Sequence, residues 1–165
     1  MTTAERESAF VELLRARFGL AEDAEPPPEG FLLAAEHHFE LARTLKQQHG
    51  YVQYVSVVAS HWPEVPAKGK VEGDPEHYEV ATLLRTVGPG SHVARWRVRI
   101  EMDGALDSLV PLFAGADWQE REQFDLVGVR FADHPDLRRL MMPEEWVGHP
   151  LRKDYAIETG HLPWR

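Results

Sequence analysis

The residues best equipped for chemistry fall in one stretch: Glu120, Arg121, Glu122 and Asp125, followed by His134 and then Asp136, Arg138 and Arg139. On a helix, Arg121 and Asp125 are four positions apart and Glu122 and Asp125 three apart, so these charges project from adjoining positions on one side. Phe124 and Val127 then point elsewhere, toward a core. Two chemistries suit such a set. Paired carboxylates with His134 as acid and base describe a small hydrolase built on Glu120, Glu122, Asp125 and His134. Alternatively the charges form an ion-pair network, either internal, locking the helix to its own tail, or across a boundary with another chain. The network is preferred, because structural ion pairs also perturb carboxylates and are commoner than catalysis. The chain also shows no nucleophile elbow, phosphate loop or metal cage.

Other candidates carry less. His134 and His149 each precede proline and lie fifteen positions apart, outside zinc-ligand spacings. His37 and His38 read as a surface and a boundary residue. Arg138 with Arg139 and Arg152 with Lys153 form basic doublets in an acidic chain, suited to carboxylates or carbonyls on a partner. Trp118, Trp146 and Tyr155 lie among them. Arginine with aromatics is the composition of interface hot spots, while the two tryptophans suit the domain's own core equally well.

The frame around these residues is that of one globular domain: 165 residues, 43% hydrophobic and 27% charged. A formal net charge of −9 repels phosphates, so nucleic acid is not an expected partner. Without cysteine the chain has no disulfide, no thiolate chemistry and no cysteine ligand for zinc or an iron–sulfur cluster. Residues 1–7 are charged where a signal peptide needs an apolar stretch, and no apolar run approaches about 18 residues. Any membrane link is therefore expected to run through partners.

The elements follow from hydrophobic period. Phe10, Leu13, Leu14 and Phe18 predict a first helix, with Thr2 and Glu5 as a capping box and Gly19 as its stop. Residues 22–30, with three prolines among acids, predict an extended connector. After a brief apolar run at Phe31–Leu33, a second helix is predicted through Phe39, Ala42 and Leu45 to Gly50. Residues 51–59 read as a buried strand and 61–76 as a loop. The clearest signal is a long β-hairpin: Tyr78, Val80, Thr82 and Leu84 on one arm and Ala94, Trp96, Val98 and Ile100 on the other face inward, and Arg95, Arg97 and Arg99 face out. Residues 106–113 read as a short helical or irregular piece, and Asp117 as the cap of a third helix that ends near Gly128. Beyond it, His134-Pro135, Met142-Pro143, His149-Pro150 and Leu162-Pro163 bias the chain to extended conformations. The expected fold is α+β: a two-layer sandwich of a mixed, largely antiparallel sheet covered by helices, as a domain over 1–133 with an extended, proline-punctuated tail over 134–165 that docks on a partner subunit.

The run Glu120-Arg121-Glu122-Gln123-Phe124-Asp125-Leu126-Val127, with His134-Pro135-Asp136-Leu137-Arg138-Arg139 after a six-residue gap, resembles the signature of the respiratory complex I thirty-kilodalton subunit family. A second family block recurs as Gly148-His149-Pro150-Leu151-Arg152-Lys153-Asp154-Tyr155. Gln123 departs from a usually apolar position and Ala156 from a usual proline. The resemblance implies a structural subunit of the hydrophilic arm of the proton-pumping NADH:quinone oxidoreductase, peripheral on the cytoplasmic side of the bacterial membrane. It would sit beside the forty-nine-kilodalton subunit and neighbouring subunits of the quinone-reducing module. It would carry no cofactor, since FMN, the iron–sulfur clusters and the quinone belong to other subunits. The homologous subunit of a membrane-bound nickel–iron hydrogenase or formate hydrogenlyase is the alternative that the same resemblance allows.

Overall fold

A computed structural model of the chain describes residues 1–21, 27, 29–69 and 72–156. Its elements run α1 (Thr3–Arg17), β1 (Phe31–Leu33), a 3₁₀ turn (Ala35–His37), α2 (His38–Gln48), β2 (Gln53–Trp62), β3 (His77–Arg85), β4 (Val93–Glu101), β5 (Ala105–Asp107), α3 (Ala116–Val127) and β6 (Arg130–Ala132). The architecture is α+β. The main sheet has the order β1-β4-β3-β2, with β1 parallel to β4 and the other pairs antiparallel. The connector expected over 22–30 and the Leu162-Pro163 step lie mostly or wholly outside the described residues.

The hairpin forms in the register that its alternation demands. Tyr78 pairs with Ile100, Val80 with Val98, Thr82 with Trp96 and Leu84 with Ala94, so both apolar rows enter one core. Helix α1 starts at the Thr2–Glu5 capping box and contributes Phe10, Leu13 and Leu14; α2 contributes Leu41, Ala42 and Leu45. His38 corrects an expectation: it is buried against the sheet, where its Nδ1 accepts the Trp96 Nε1–H at 3.2 Å. Burial pushes the imidazole down to about 3, so it sits in the core as a neutral acceptor. The apolar run Phe31–Leu33 becomes an edge strand whose partner, β4, lies far along the chain.

Three further expectations are revised. Strand β2 extends through His61, which is buried rather than in a loop. The piece after the hairpin includes β5, which pairs in parallel with β6 and brackets α3 between them. Asp117 is not the cap of α3: the helix begins at Ala116 behind Gly115, and no side chain caps it.

Helix α3 runs along the open edge of β2 and closes it with two glutamines four residues apart. Gln119 Oε1 accepts the Val57 N–H at 3.0 Å, Gln123 Oε1 accepts the Ala59 N–H at 2.9 Å, and Gln119 Nε2 donates to the Val55 carbonyl. Side chains thus occupy backbone groups that an exposed edge would offer to another strand. The departure at Gln123 thereby has a physical reason. Gln123→Leu should leave the Ala59 N–H unpaired and lower stability by about 1 kcal/mol, with increased self-association; urea unfolding and light scattering read the two effects.

Candidate functional site

The signature charges meet where α3, its own tail and the end of β2 come together. Arg121 and Asp125 lie on the side of α3 that the tail covers, and the tail folds back so that its backbone and side chains complete their bonding. Asp125 is 0% exposed. Its Oδ2 accepts three consecutive backbone N–H groups, from Leu140 at 3.0 Å, Met141 at 2.6 Å and Met142 at 2.8 Å, while Oδ1 accepts Arg139 Nη1–H at 2.6 Å. Burial alone would push this carboxyl up. The donors from Met142, Arg139, Met141 and Leu140 together outweigh it and hold the group below the usual carboxylate range, hence ionised.

The bonds around it form a latch. Arg139 also donates to the Asp125 and Gly148 carbonyls, and the His149 Nδ1–H donates to the Asp125 carbonyl at 2.9 Å. Arg121 donates to the Arg138 and Arg139 carbonyls at 3.3 and 3.4 Å and lies 3.9 Å from Asp136 and 4.0 Å from Asp117. His134 accepts the Asp136 N–H on Nδ1, so Nε2 carries the proton and faces the Asp117 carbonyl at 3.3 Å. Arg138 pairs with Asp136 at the exposed margin. The histidine rings of the signature serve as hydrogen-bonding spacers, with both nitrogens of His134 and Nδ1 of His149 set on backbone groups.

A second clasp follows. Arg152 grips Asp154 with two bonds of 2.8 and 2.6 Å, donates to the Tyr78 hydroxyl at 2.9 Å and reaches Glu76 at 3.5 Å. The forked contact with Arg152 holds Asp154 below the usual carboxylate range. His61 accepts the Lys153 N–H on Nδ1, and its Nε2–H donates to Glu76 at 2.7 Å. Gly128 and Gly148 permit the fold-back. Each has positive φ, and a Cβ on Gly128 would meet the His149 ring at 2.9 Å, one on Gly148 the Tyr155 ring at 3.0 Å. Arg152→Ala should cost about 1–3 kcal/mol by removing charge-assisted bonds in a half-closed setting. Arg152→Lys should not restore it, since an ammonium cannot reproduce the fork; urea unfolding of both variants checks this.

Glu120 stands apart from the latch. It lies beneath α3, 1% exposed, accepting Ser108 Oγ–H at 2.6 Å and Leu109 N–H at 2.8 Å. Burial, and secondarily the Asp117 charge, push it up to about 7 against those two donors. The Tyr54 hydroxyl, buried without a hydrogen-bond partner, is pushed up by burial and then by the Glu120 charge.

Of the candidate residues, the structure therefore unites Arg121, Asp125, His134, Asp136, Arg138, Arg139 and His149 in the latch, and Arg152 and Asp154, with the Lys153 backbone, in the clasp. Tyr155 packs its ring at Gly148. The Glu122 side chain has no partner among the described residues. The contributions of His61, Glu76 and Tyr78 are not legible in the sequence, because they come from β2, β3 and the residue before β3, far upstream of Asp125 and in no recognisable motif. Trp118 and Trp146 are not core: they are 68% and 39% exposed. A hydrolytic site is not assembled, since Asp125 is saturated, the His134 side chain is fully buried on backbone groups, and Glu120 faces the opposite side of the helix. Among the described residues, no group of three or more His, Cys, Asp or Glu is placed to hold a metal ion.

Comparison with known proteins gives a consistent picture. Residues 31–161 match the family described as respiratory-chain NADH dehydrogenase, 30 kDa subunit. The chain is 49% identical over 81 residues to NAD(P)H-quinone oxidoreductase subunit J of Synechococcus sp. (strain RCC307), covering 48% of this chain and 46% of that one. It is 36% identical over 131 residues to the NADH-quinone oxidoreductase subunit designated C in Moorella thermoacetica, covering 78% and 80%. It is also 36% identical over 136 residues to the same-named subunit of Hyphomonas neptunium, covering 81% and 62%. The match thus spans less than two thirds of the Synechococcus and Hyphomonas proteins.

Proposed function

The chain belongs to the family of the 30 kDa subunit of respiratory-chain NADH dehydrogenase, and on that premise we propose that it is a structural, cofactor-free subunit of the hydrophilic arm of a proton-pumping NADH:quinone oxidoreductase. In this reading residues 1–133 form the supporting domain, and residues 134–165 a tail that helps it seat beside the forty-nine-kilodalton subunit of the quinone-reducing module. FMN, iron–sulfur clusters and quinone are bound by those other subunits. The subunit sits peripherally on the cytoplasmic side of the membrane, held there by its partners. Among the described residues no helix is long and apolar enough to cross a membrane. The observation that carries the reading is the latch: the most distinctive charges of the chain are spent on holding the tail to α3, leaving Asp125 buried among four donors with no surface for a substrate.

Arg121, Asp125, His134, Asp136, Arg138, Arg139, His149, Arg152 and Asp154, with the Lys153 backbone, then act as a bonded network that shapes the docking surface, with Tyr155 packed at Gly148 and with Glu120 and Glu122 outside the network. They take no part in electron transfer. The test is affinity capture of the tagged chain from detergent-solubilised membranes. Recovery of the other oxidoreductase subunits in constant ratio, with no turnover by the purified chain alone, is the expected result. A chain that never travels with oxidoreductase components would contradict it. Recovery with the large subunit of a nickel–iron hydrogenase would replace it by the related assembly.

A further inference from the structure

Polarity in the tail is inverted relative to an ordinary surface segment. Two of its arginines turn inward, Arg139 onto Asp125 and Arg152 onto Tyr78 and Asp154. Between the latch and the clasp the chain exposes Met141 at 63%, Trp146, and Val147 at 87%. Glu144 and Glu145 are exposed in the same turn, and neither side chain has a hydrogen-bond or ion-pair partner among the described residues. The turn is also held rigidly at both ends. At its start the N–H groups of residues 140–142 sit on Asp125; at its end Arg139 grips the Gly148 carbonyl; within it the Trp146 N–H donates to the Pro143 carbonyl.

Single exposed apolar side chains are ordinary. An apolar and acidic turn pinned in one conformation is different, because the ordering that binding would otherwise require is already complete. We propose that residues 141–147 are a docking knob for an apolar pocket rimmed by lysine or arginine on a neighbouring subunit, with Trp146 and Val147 entering the pocket and Glu144 and Glu145 meeting the rim. This rests on the subunit reading above and changes its chemistry. One arginine of each basic doublet, Arg139 and Arg152, serves the chain itself, and at the knob the partner supplies the positive charge.

The absence of cysteine makes the knob directly testable. Val147→Cys should react readily with a maleimide in the isolated chain and about tenfold or more slowly in the detergent-extracted complex. Val87→Cys, at the tip of the β3–β4 hairpin and 65% exposed, is the second probe and should react in the isolated chain at a comparable rate. The double variant Glu144→Lys/Glu145→Lys should fold with unchanged melting temperature yet compete about tenfold worse with wild type for places in the complex. If Val147→Cys is itself excluded from the complex while melting like wild type, the knob is equally supported. Equal labelling of Val147→Cys free and assembled, or wild-type competition by the lysine variant, overturns the knob while the capture experiment leaves the subunit reading intact. Protection of Val147→Cys by phosphatidylcholine–phosphatidylglycerol vesicles alone would overturn it in favour of a membrane contact.

Discussion

Asp125→Ala is expected to destabilise the isolated chain by about 3–5 kcal/mol, the cost typical of breaking a buried charged pair by removing one partner. Arg139 would be left half-buried beside an empty site, and the amides of Leu140, Met141 and Met142 would lose their common acceptor. The loss is local as well as global. Residues 134–150 should come away from α3, so limited proteolysis should cut between 138 and 147 in the variant and not in wild type. Asp125→Asn keeps one acceptor oxygen but not the charge that Arg139 needs, and should fall between the two. Urea unfolding measures the first effect and mapping of the cut sites the second. A variant within about 1 kcal/mol of wild type, with its tail uncut, would mean that the latch does not hold the tail.

Glu120 should impose a stability limb of the opposite pH sense. Its folded value, about 7, lies above the ordinary 4.5, so the native state binds this proton more tightly than the unfolded chain does. The stabilisation is fully present below about 4.5 and is lost as pH rises to 7. At about 1.36 kcal/mol per unit, roughly 3 kcal/mol disappears by pH 8. Asp125 and Asp154, both held below the usual carboxylate range, contribute stability above that range and lose it as pH falls into it. His38, held down at about 3 against an ordinary 6.5, acts in the other direction, its contribution complete above 6.5 and lost as pH falls, so wild type should be nearly level from about pH 5 to 6.5 and lose stability above that as Glu120 ionises. Glu120→Gln, which keeps an oxygen for the Leu109 N–H and cannot ionise, should instead gain about 2 kcal/mol between pH 5 and 6.5 through His38 and stay level to pH 8. Chemical denaturation of both proteins across that range decides it, and parallel curves would show that Glu120 stays ionised in the fold.

Much of the fold is legible because it is written in local periodicity. The hairpin alternates without interruption from Tyr78 to Leu84 and from Ala94 to Ile100, and a one-residue slip would turn every apolar side chain outward, so the register follows from the residues alone. The Thr2–Glu5 box and Gly128 likewise mark helix ends by mechanisms confined to a few residues. What escapes the sequence is set by distant partners. β1 and the β5–β6 pair are three-residue strands that exist because another strand lies beside them. His38 gives no sign that Trp96 will bury it, and Asp117 meets the criteria for a cap while Gly115 takes the position.

The site divides in the same way. That Arg121 and Asp125 share one side of α3 follows from helical spacing; that their partners are the chain's own backbone does not. Proline after His134, Met142 and His149 marks the tail as unable to form regular structure, which fits both a free arm and one bonded to its own domain. The difference is made by a carboxylate accepting three successive N–H groups from a segment with no sequence mark of its own. The basic doublets mislead for a related reason. Composition alone leaves open whether Arg139 and Arg152 face a partner or the interior, and here they face the interior.

Amide hydrogen exchange of Leu140, Met141 and Met142 in the isolated chain tests the latch most directly. If the signature holds the tail without help from another polypeptide, these three amides exchange slowly, and Asp125→Asn accelerates them while the β3 and β4 amides stay protected. Exchange of all three at the rate of an unstructured peptide, in a chain whose sheet is intact, would show that the tail is closed only by a partner.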